Sequence, residues 1–340
     1  MAKAHPAPRI RGAFTARLLR YHCQRHVEEA GARMHIFITG ATGYIGGAVA
    51  ARLLADGHRV FGLARTPEKA RALAASGIAP VAGALVDLGT LREAAQAADA
   101  VINAASADDS MVAHVLVKAL EGSGKPLLHT SGTSVAADRA LGERSDVVFT
   151  EDMPLQTLPE RLLRVEVERS VLGAAGRGVR SVVIRPALLY GRGPGLNPHS
   201  HQLPQLARIT VARGRPAHVG RGLNVWSHLH IDDLAELYLR TLADAPPGSL
   251  YFAESGEASW RDMAIGIGRA VGFSGEPEAL PTEEALRLLG IGAVTSFGSN
   301  SRVSAEKARR MLGWKPAAPS LWDDLRTDYY KTSFARVEEG

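Results

Sequence analysis

From Met34 onward, short apolar runs alternate with segments whose apolar residues recur at helical spacing. Residues 35–39 (HIFIT) read as a buried strand. Ile45, Val49, Leu53 and Leu54 then share one face of a helix ending near Gly57. Residues 60–64 read as a second strand, and 67–76 as a helix with Pro67 in its first turn, where a missing N–H is harmless. Further apolar strands are expected at 81–85, 100–105 and 126–130, separated by helices around 91–98 and 111–120. A helix over 158–172 and a strand over 181–185 follow. Ile231, Leu234, Ala235, Tyr238, Leu239 and Leu242 form the broad apolar face of another helix, and 250–253 is one more strand. This alternation predicts an α/β fold: a doubly wound parallel sheet with helices on both faces and a smaller C-terminal substrate-binding region. The Gly/Pro-rich stretch 191–198 breaks the alternation and is expected to start segments lying over a ligand cleft. The organisation implied is a leader over 1–33 and a nucleotide-binding domain over 34–190, to which 223–253 returns. A substrate region over 191–222 and 254–330 and a tail over 331–340 complete it.

The first strand runs into Gly40-Ala-Thr42-Gly43-Tyr44-Ile45-Gly46, which opens the first helix. In a Rossmann-type βαβ unit the first glycine permits a sharp turn. The second lets backbone approach a pyrophosphate, and the third lets helix and strand pack closely. The helix start adds unpaired N–H groups and a positive dipole end. The unit therefore predicts a nicotinamide dinucleotide held by Gly40, Thr42, Gly43, Tyr44, Ile45 and Gly46. A glycine-rich turn that binds nothing is the plainer alternative. The end of the second strand selects the cofactor. A site for NAD(H) usually has Asp or Glu there to bind the ribose 2′-hydroxyl. Here the chain reads Gly62-Leu63-Ala64-Arg65-Thr66, so Arg65 is placed to fork onto a 2′-phosphate, with Lys69 nearby. NADP(H) is expected over NAD(H); a solvated strand-end cation is the alternative.

Composition narrows the class. The chain of 340 residues is 46% hydrophobic and 22% charged, as in an ordinary globular protein long enough to bury a large core. The net charge of +5 suggests nucleic acid until it is located. Residues 1–33 hold seven cations against Glu28 and Glu29, and the rest of the chain is neutral. A disordered leader is expected, with no nucleic-acid partner. No apolar run reaches the length of a membrane span, and the leader lacks the apolar core of a secretory signal. The sole cysteine, Cys23, lies in the leader, so the remainder has no disulfide or thiolate site. That fits a cytoplasmic protein. The histidines show no metal-ligand spacing, and no metal is expected.

The segment TGATGYIGG (39–47) and several later motifs resemble the short-chain dehydrogenase/reductase superfamily, in its extended and atypical branch of NAD-dependent epimerases and dehydratases. VINAA (101–105) is similar to the fourth-strand motif lining the nicotinamide side. RPALLYG (185–191) is similar to the segment leading into the substrate region. WSHLHIDDLA (226–235) and SAEKARRMLGWKP (304–316) resemble later signatures of the branch. The resemblance implies that Ala104, Ser131 and Pro186 also border the cofactor. Homodimers are common in such families, and a helical face such as 111–120 either pairs or simply covers the sheet.

Members that oxidise or reduce carbonyls carry a Ser/Thr and a Tyr-x-x-x-Lys pair, the Lys lowering the pKa of a phenol otherwise near 10. Here RVEVER (164–169) aligns with the stretch after that pair, which puts Glu160 at the Tyr position and Arg164 at the Lys position. No Tyr lies between Tyr44 and Tyr190. The usual Ser falls on Gly132, between Ser131 and Thr133. Three readings follow. Other groups do the chemistry, with Thr133, Glu160, Arg164 and Tyr190 as candidates, and the protein is an atypical NADP(H)-dependent oxidoreductase of a small molecule. Alternatively it is a non-catalytic NADP(H)-binding sensor, or a sugar-nucleotide epimerase or dehydratase. Glu160, Arg164 and Glu168 share one helix face, which is also what a solvated salt ladder looks like. Arg192 and Arg221 are candidate anion ligands in loops.

Overall fold

The structure, a computed structural model, describes residues 33–335. The leader before Arg33, Cys23 and the tail beyond Ala335 lie outside the described residues. The first half follows the expected alternation: β1 (His35–Thr39), α1 (Tyr44–Ala55), β2 (Arg59–Ala64), α2 (Pro67–Ala75) and β3 (Ala79–Ala82). Next come α3 (Leu88–Ala97), β4 (Ala100–Asn103), α4 (Ser110–Leu120) and β5 (Pro126–Thr130). A longer connection leads to α5 (Leu162–Gly173) and β6 (Arg180–Pro186), and α6 (Ile231–Asp244) precedes β7 (Ser249–Ala253). These strands form one seven-stranded sheet in the order β3-β2-β1-β4-β5-β6-β7, with every neighbouring pair parallel.

Both faces are buried, as a parallel sheet requires. In β1, Ile36 and Ile38 enter the core shared with α1 and α6, whereas Phe37 points to the opposite core with α3, α4 and α5. A third core, containing Tyr190, Trp226, Trp260, Phe297 and Tyr330, forms the smaller lobe. There Leu188–Tyr190 pairs with Val225–His230, which pairs in turn with Gly256–Ser259. The return of the chain to the main sheet is thus made by α6 and β7, while Val225–His230 stays in the smaller lobe's sheet. Two contacts tie the C-terminal segment to α6. Trp314 Nε1 donates to the Asp233 carbonyl, and the Asp233 carboxylate accepts the N–H groups of Ala317 and Ala318.

Two expected elements shift. The strand read at 81–85 lies at Ala79–Ala82, because Gly83 takes φ +156° and turns the chain out. Pro80 is tolerated because β3 is the edge strand. The helix read from 158 begins as a short 3₁₀ turn at Pro159–Arg161, and the α-helix proper starts at Leu162.

The glycine loop shows why its spacing matters. Gly40 has φ +78°, and a side chain there would strike the Ala104 carbonyl at 2.7 Å. A Cβ on Gly46 would lie 2.2 Å from the Gly40 carbonyl oxygen. Substituting Gly46→Ala is therefore expected to destabilise the protein by roughly 1–3 kcal/mol through overpacking. Gly89 in α3 has open space around its Cβ, so Gly89→Ala is expected to stabilise by roughly 0.5–1 kcal/mol. Urea unfolding of both variants checks the pair. Equal, small effects would contradict the close packing at Gly46.

Candidate functional site

The C-terminal ends of β1, β4, β5 and β6 lie side by side, the usual ligand position in an open α/β sheet. Gly40, Ala104, Ser131 and Pro186 stand at those four ends. A cavity of about 710 Å³ opens there. Tyr44 and Ile45 at the start of α1 border it, together with Ala104, Ser131, Thr133, Arg164 and Pro186. Thus seven of the fourteen site residues singled out in the sequence line one cavity.

A polar row lies one residue below the strand ends. Thr39 Oγ1 donates to Asn103 Oδ1 at 2.6 Å, and the Asn103 amide meets His129 Nδ1 at 3.1 Å. Burial pushes the His129 pKa down to about 4, so the ring is neutral at pH 7. The next link is charged. Ser131 donates its hydroxyl to Glu168, and Glu168 accepts a fork from Arg185 of β6, with Nε at 3.0 Å. Glu168 is 1% and Arg185 6% exposed, so this is a buried ion pair that holds Ser131 at the cavity edge.

The face of Glu160, Arg164 and Glu168 is not a salt ladder, since each residue pairs with a different element. Arg164 forks onto Asp108, in the loop after β4, with Nε at 2.8 Å and Nη2 at 2.7 Å. Its third nitrogen donates to Ser134 Oγ at 3.1 Å. The guanidinium holds the Asp108 carboxyl below the usual carboxylate range. It also passes 3.5 Å from where a Cβ on Gly132 would stand. Glu160 pairs with Arg139 on the surface and does not border the cavity. Its own backbone N–H, then Arg139, keep it ionised to lower pH than usual. Glu160 is therefore corrected from an acid/base candidate to a surface carboxylate.

Tyr190 is also out of place for chemistry. It is 1% exposed, its hydroxyl donates to the Pro319 carbonyl at 2.9 Å, and burial pushes its pKa up to about 12. The Tyr44 hydroxyl is committed to the carbonyls of Tyr190 and Gly191, and burial raises its pKa far above the ordinary value. Thr133 is different. It borders the cavity, and its buried Oγ1 has no hydrogen-bond partner among the described residues. Arg65 stands exposed after β2, paired with no carboxylate among the described residues. The neighbouring Thr66 caps α2 by accepting from the Lys69 N–H.

The remaining walls come from segments far apart in the chain. Asn197 enters from the end of the Gly/Pro-rich stretch, His199 and Gln202 from just beyond it, and Trp226 from the smaller lobe. Arg161 was not anticipated; Leu289, Ile291 and Phe297 fall within the substrate region expected over 254–330, although their segment gave no motif. Of the two loop arginines read as anion ligands, Arg221 pairs with Glu143 on the surface, and Arg192 does not border the cavity. The described residues hold no cluster of His, Cys, Asp and Glu able to bind a metal. No described helix is long and apolar enough to cross a membrane.

Comparison with known proteins adds the lineage. The model of the NAD dependent epimerase/dehydratase family matches residues 36–251. An uncharacterized protein of Schizosaccharomyces pombe is 32% identical, over 87% of this chain and 100% of its own. Oxidase ucsJ of Acremonium sp is 33% identical, over 85% of this chain and 95% of its own. Further relatives carry the names of reductases and of an epimerase. The crystal structure of a putative epimerase from Burkholderia cenocepacia is similar with TM-score 0.70 at 22% identity, over 90% of this chain and 100% of that one, a likeness of fold.

The buried pair at the site's edge has a measurable consequence. Substituting Glu168→Gln strands the Arg185 charge and is expected to destabilise the protein by about 3–5 kcal/mol. Glu160→Gln, on the surface, is expected to leave the unfolding midpoint almost unchanged. Denaturant unfolding of the two variants compares them directly. Similar losses from both would contradict the distinction.

Proposed function

The chain belongs to the NAD-dependent epimerase/dehydratase family, and from that premise we propose that it is an atypical NADP(H)-dependent oxidoreductase, reductase-like, acting on a small molecule. One observation carries this reading: the cavity of about 710 Å³ opens directly beside Tyr44, Ala104, Ser131 and Pro186. The dinucleotide and a substrate would therefore meet at the strand ends. The residues fit the cofactor. A side chain on Gly40 or Gly46 would collide with backbone, so the loop is shaped for close approach. Arg65, free of a carboxylate partner, suits a 2′-phosphate.

When bound, the nicotinamide supplies or accepts hydride. The chain's own residues do the rest. Gly40–Gly46 backbone and the start of α1 hold the pyrophosphate. Arg164 is fixed by Asp108 and Ser134 at the cavity, and by the sequence resemblance it would take the part of a ribose-binding Lys. Thr133 borders the cavity, and its Oγ1, buried and unpaired among the described residues, would donate to the oxygen of a bound carbonyl after a side-chain rotation that exposes it. The compensating proton comes from water in the cavity, since neither Tyr44 nor Tyr190 offers one. That missing phenol favours one second reading, a protein that binds NADP(H) without turnover.

The test titrates NADPH and NADH against the wild type and Arg65→Ala, then follows NADPH consumption over ketones, enones and imines. Loss of the charge-assisted fork is expected to weaken NADPH roughly tenfold or more and to leave NADH nearly unchanged. Unchanged NADPH affinity in Arg65→Ala would overturn the cofactor assignment. Tight binding with no turnover across the screen would favour the non-catalytic reading.

A further inference from the structure

The cavity lining mixes hydrocarbon with charge. Its apolar members include Leu189, Trp226, Leu289, Ile291 and Phe297. Trp226 spends its only N–H on the Ser299 carbonyl at 2.8 Å, which leaves its ring as apolar surface. The same lining carries Arg161, bonded to Thr295 beside the apolar segment, and Arg164. Their charges are not equivalent. The Asp108 carboxylate is fully engaged by Arg164, and the nearby Glu160 carboxylate is engaged by Arg139. Arg161 has no carboxylate within ion-pair distance among the described residues. Among the described residues its side chain makes one hydrogen bond, from Nη2 to Thr295 Oγ1 at 3.2 Å, and its buried Nε has no partner. Burial, then the neighbouring Arg164, press its pKa down from the ordinary guanidinium value, against a smaller opposing pull from Asp108 and Glu160.

A half-buried guanidinium with open Nη donors and no carboxylate within ion-pair distance among the described residues is a recognition element for an anion. The cavity has one such cation, which matches one negative charge. A further titratable group in this lining, His199, does not supply a second. His199 is held below its ordinary pKa by burial, then by Arg208 and Arg192, and its Nδ1 is bonded to the Tyr329 hydroxyl at 2.8 Å.

We infer that the cavity takes a monocarboxylic acid with an apolar, aryl- or alkyl-sized body, its carboxylate held by Arg161 and its body laid against Trp226 and Phe297. This names the substrate class of the proposed oxidoreductase and rests on that reading for the reaction. The planar fork of Arg161 suits a carboxylate. A nucleotide sugar would bring a diphosphate's charge to a site with one uncompensated cation and would leave the apolar lining against hydroxyl groups.

The test measures binding of cinnamate, hydrocinnamate and octanoate, and of their uncharged amides, by calorimetry with the full chain, with and without saturating NADP⁺. At least one acid is expected to bind roughly tenfold or more tightly than its amide, the worth of a charge-assisted hydrogen bond. Arg161→Gln is expected to erase that preference, and Arg161→Lys to restore part of it. Unchanged NADPH affinity in both variants reports that the fold and the cofactor half are intact. Acid and amide binding equally, neither binding, or a preference that survives Arg161→Gln would each overturn the assignment. So would UDP-glucose displacing the acid at lower concentration than the amide does. Acid preference in a protein that fails to bind NADP(H) would overturn the oxidoreductase reading and leave this inference standing.

Discussion

The close approach of three backbone segments at the end of β1 governs the rest of the molecule. Gly40 turns with φ +78° directly against the Ala104 carbonyl, and Gly46 lets α1 settle onto the Gly40 carbonyl. No side chain fits at either contact. Because α1 begins there, its open N–H groups face the strand ends, and β4 delivers Ala104 to the same spot. The cradle is therefore made of backbone, and its shape is set by what the glycines lack. The smaller lobe joins the same junction, since the Tyr44 hydroxyl bonds the carbonyls of Tyr190 and Gly191.

Behind the cradle the protein places charge where a parallel sheet usually carries hydrocarbon. Glu168 and Arg185 bury an ion pair between α5 and β6, and Ser131 is bonded into it. Such a pair adds little net stability over apolar packing, but removing one partner is costly. Its structural effect is to lock α5 against the end of β6. That lock sets where Arg161 and Arg164, earlier on the same chain segment, meet the cavity. The Arg164–Asp108 fork then ties the segment to the loop after β4.

The sheet and its helices were legible because their apolar residues follow the periods of buried strands and amphipathic helices. The glycine loop was legible because three glycines at that spacing between a strand and a helix have few other uses. Local geometry was less visible. Pro80 and Gly83 together moved β3, and Pro159 delayed α5, each through a backbone effect that an apolar pattern does not carry. Pairing was least visible. Glu160, Arg164 and Glu168 look alike on a helical wheel, yet they meet Arg139, Asp108 and Arg185 from three other segments. Arg161, in a 3₁₀ turn, carried no motif, and its open donors appear only once every nearby carboxylate has been assigned.

The central claim is that the glycine cradle and the adjoining cavity form one site, in which nicotinamide and substrate meet without a tyrosine. A crystal structure of the NADPH complex tests it most directly. The account predicts the pyrophosphate on the Gly40–Gly46 backbone, the nicotinamide ring at Ala104 and Pro186, and its C4 open to the cavity beside Thr133. A nicotinamide outside that cavity, or a cavity closed by side chains once the cofactor is bound, would contradict it.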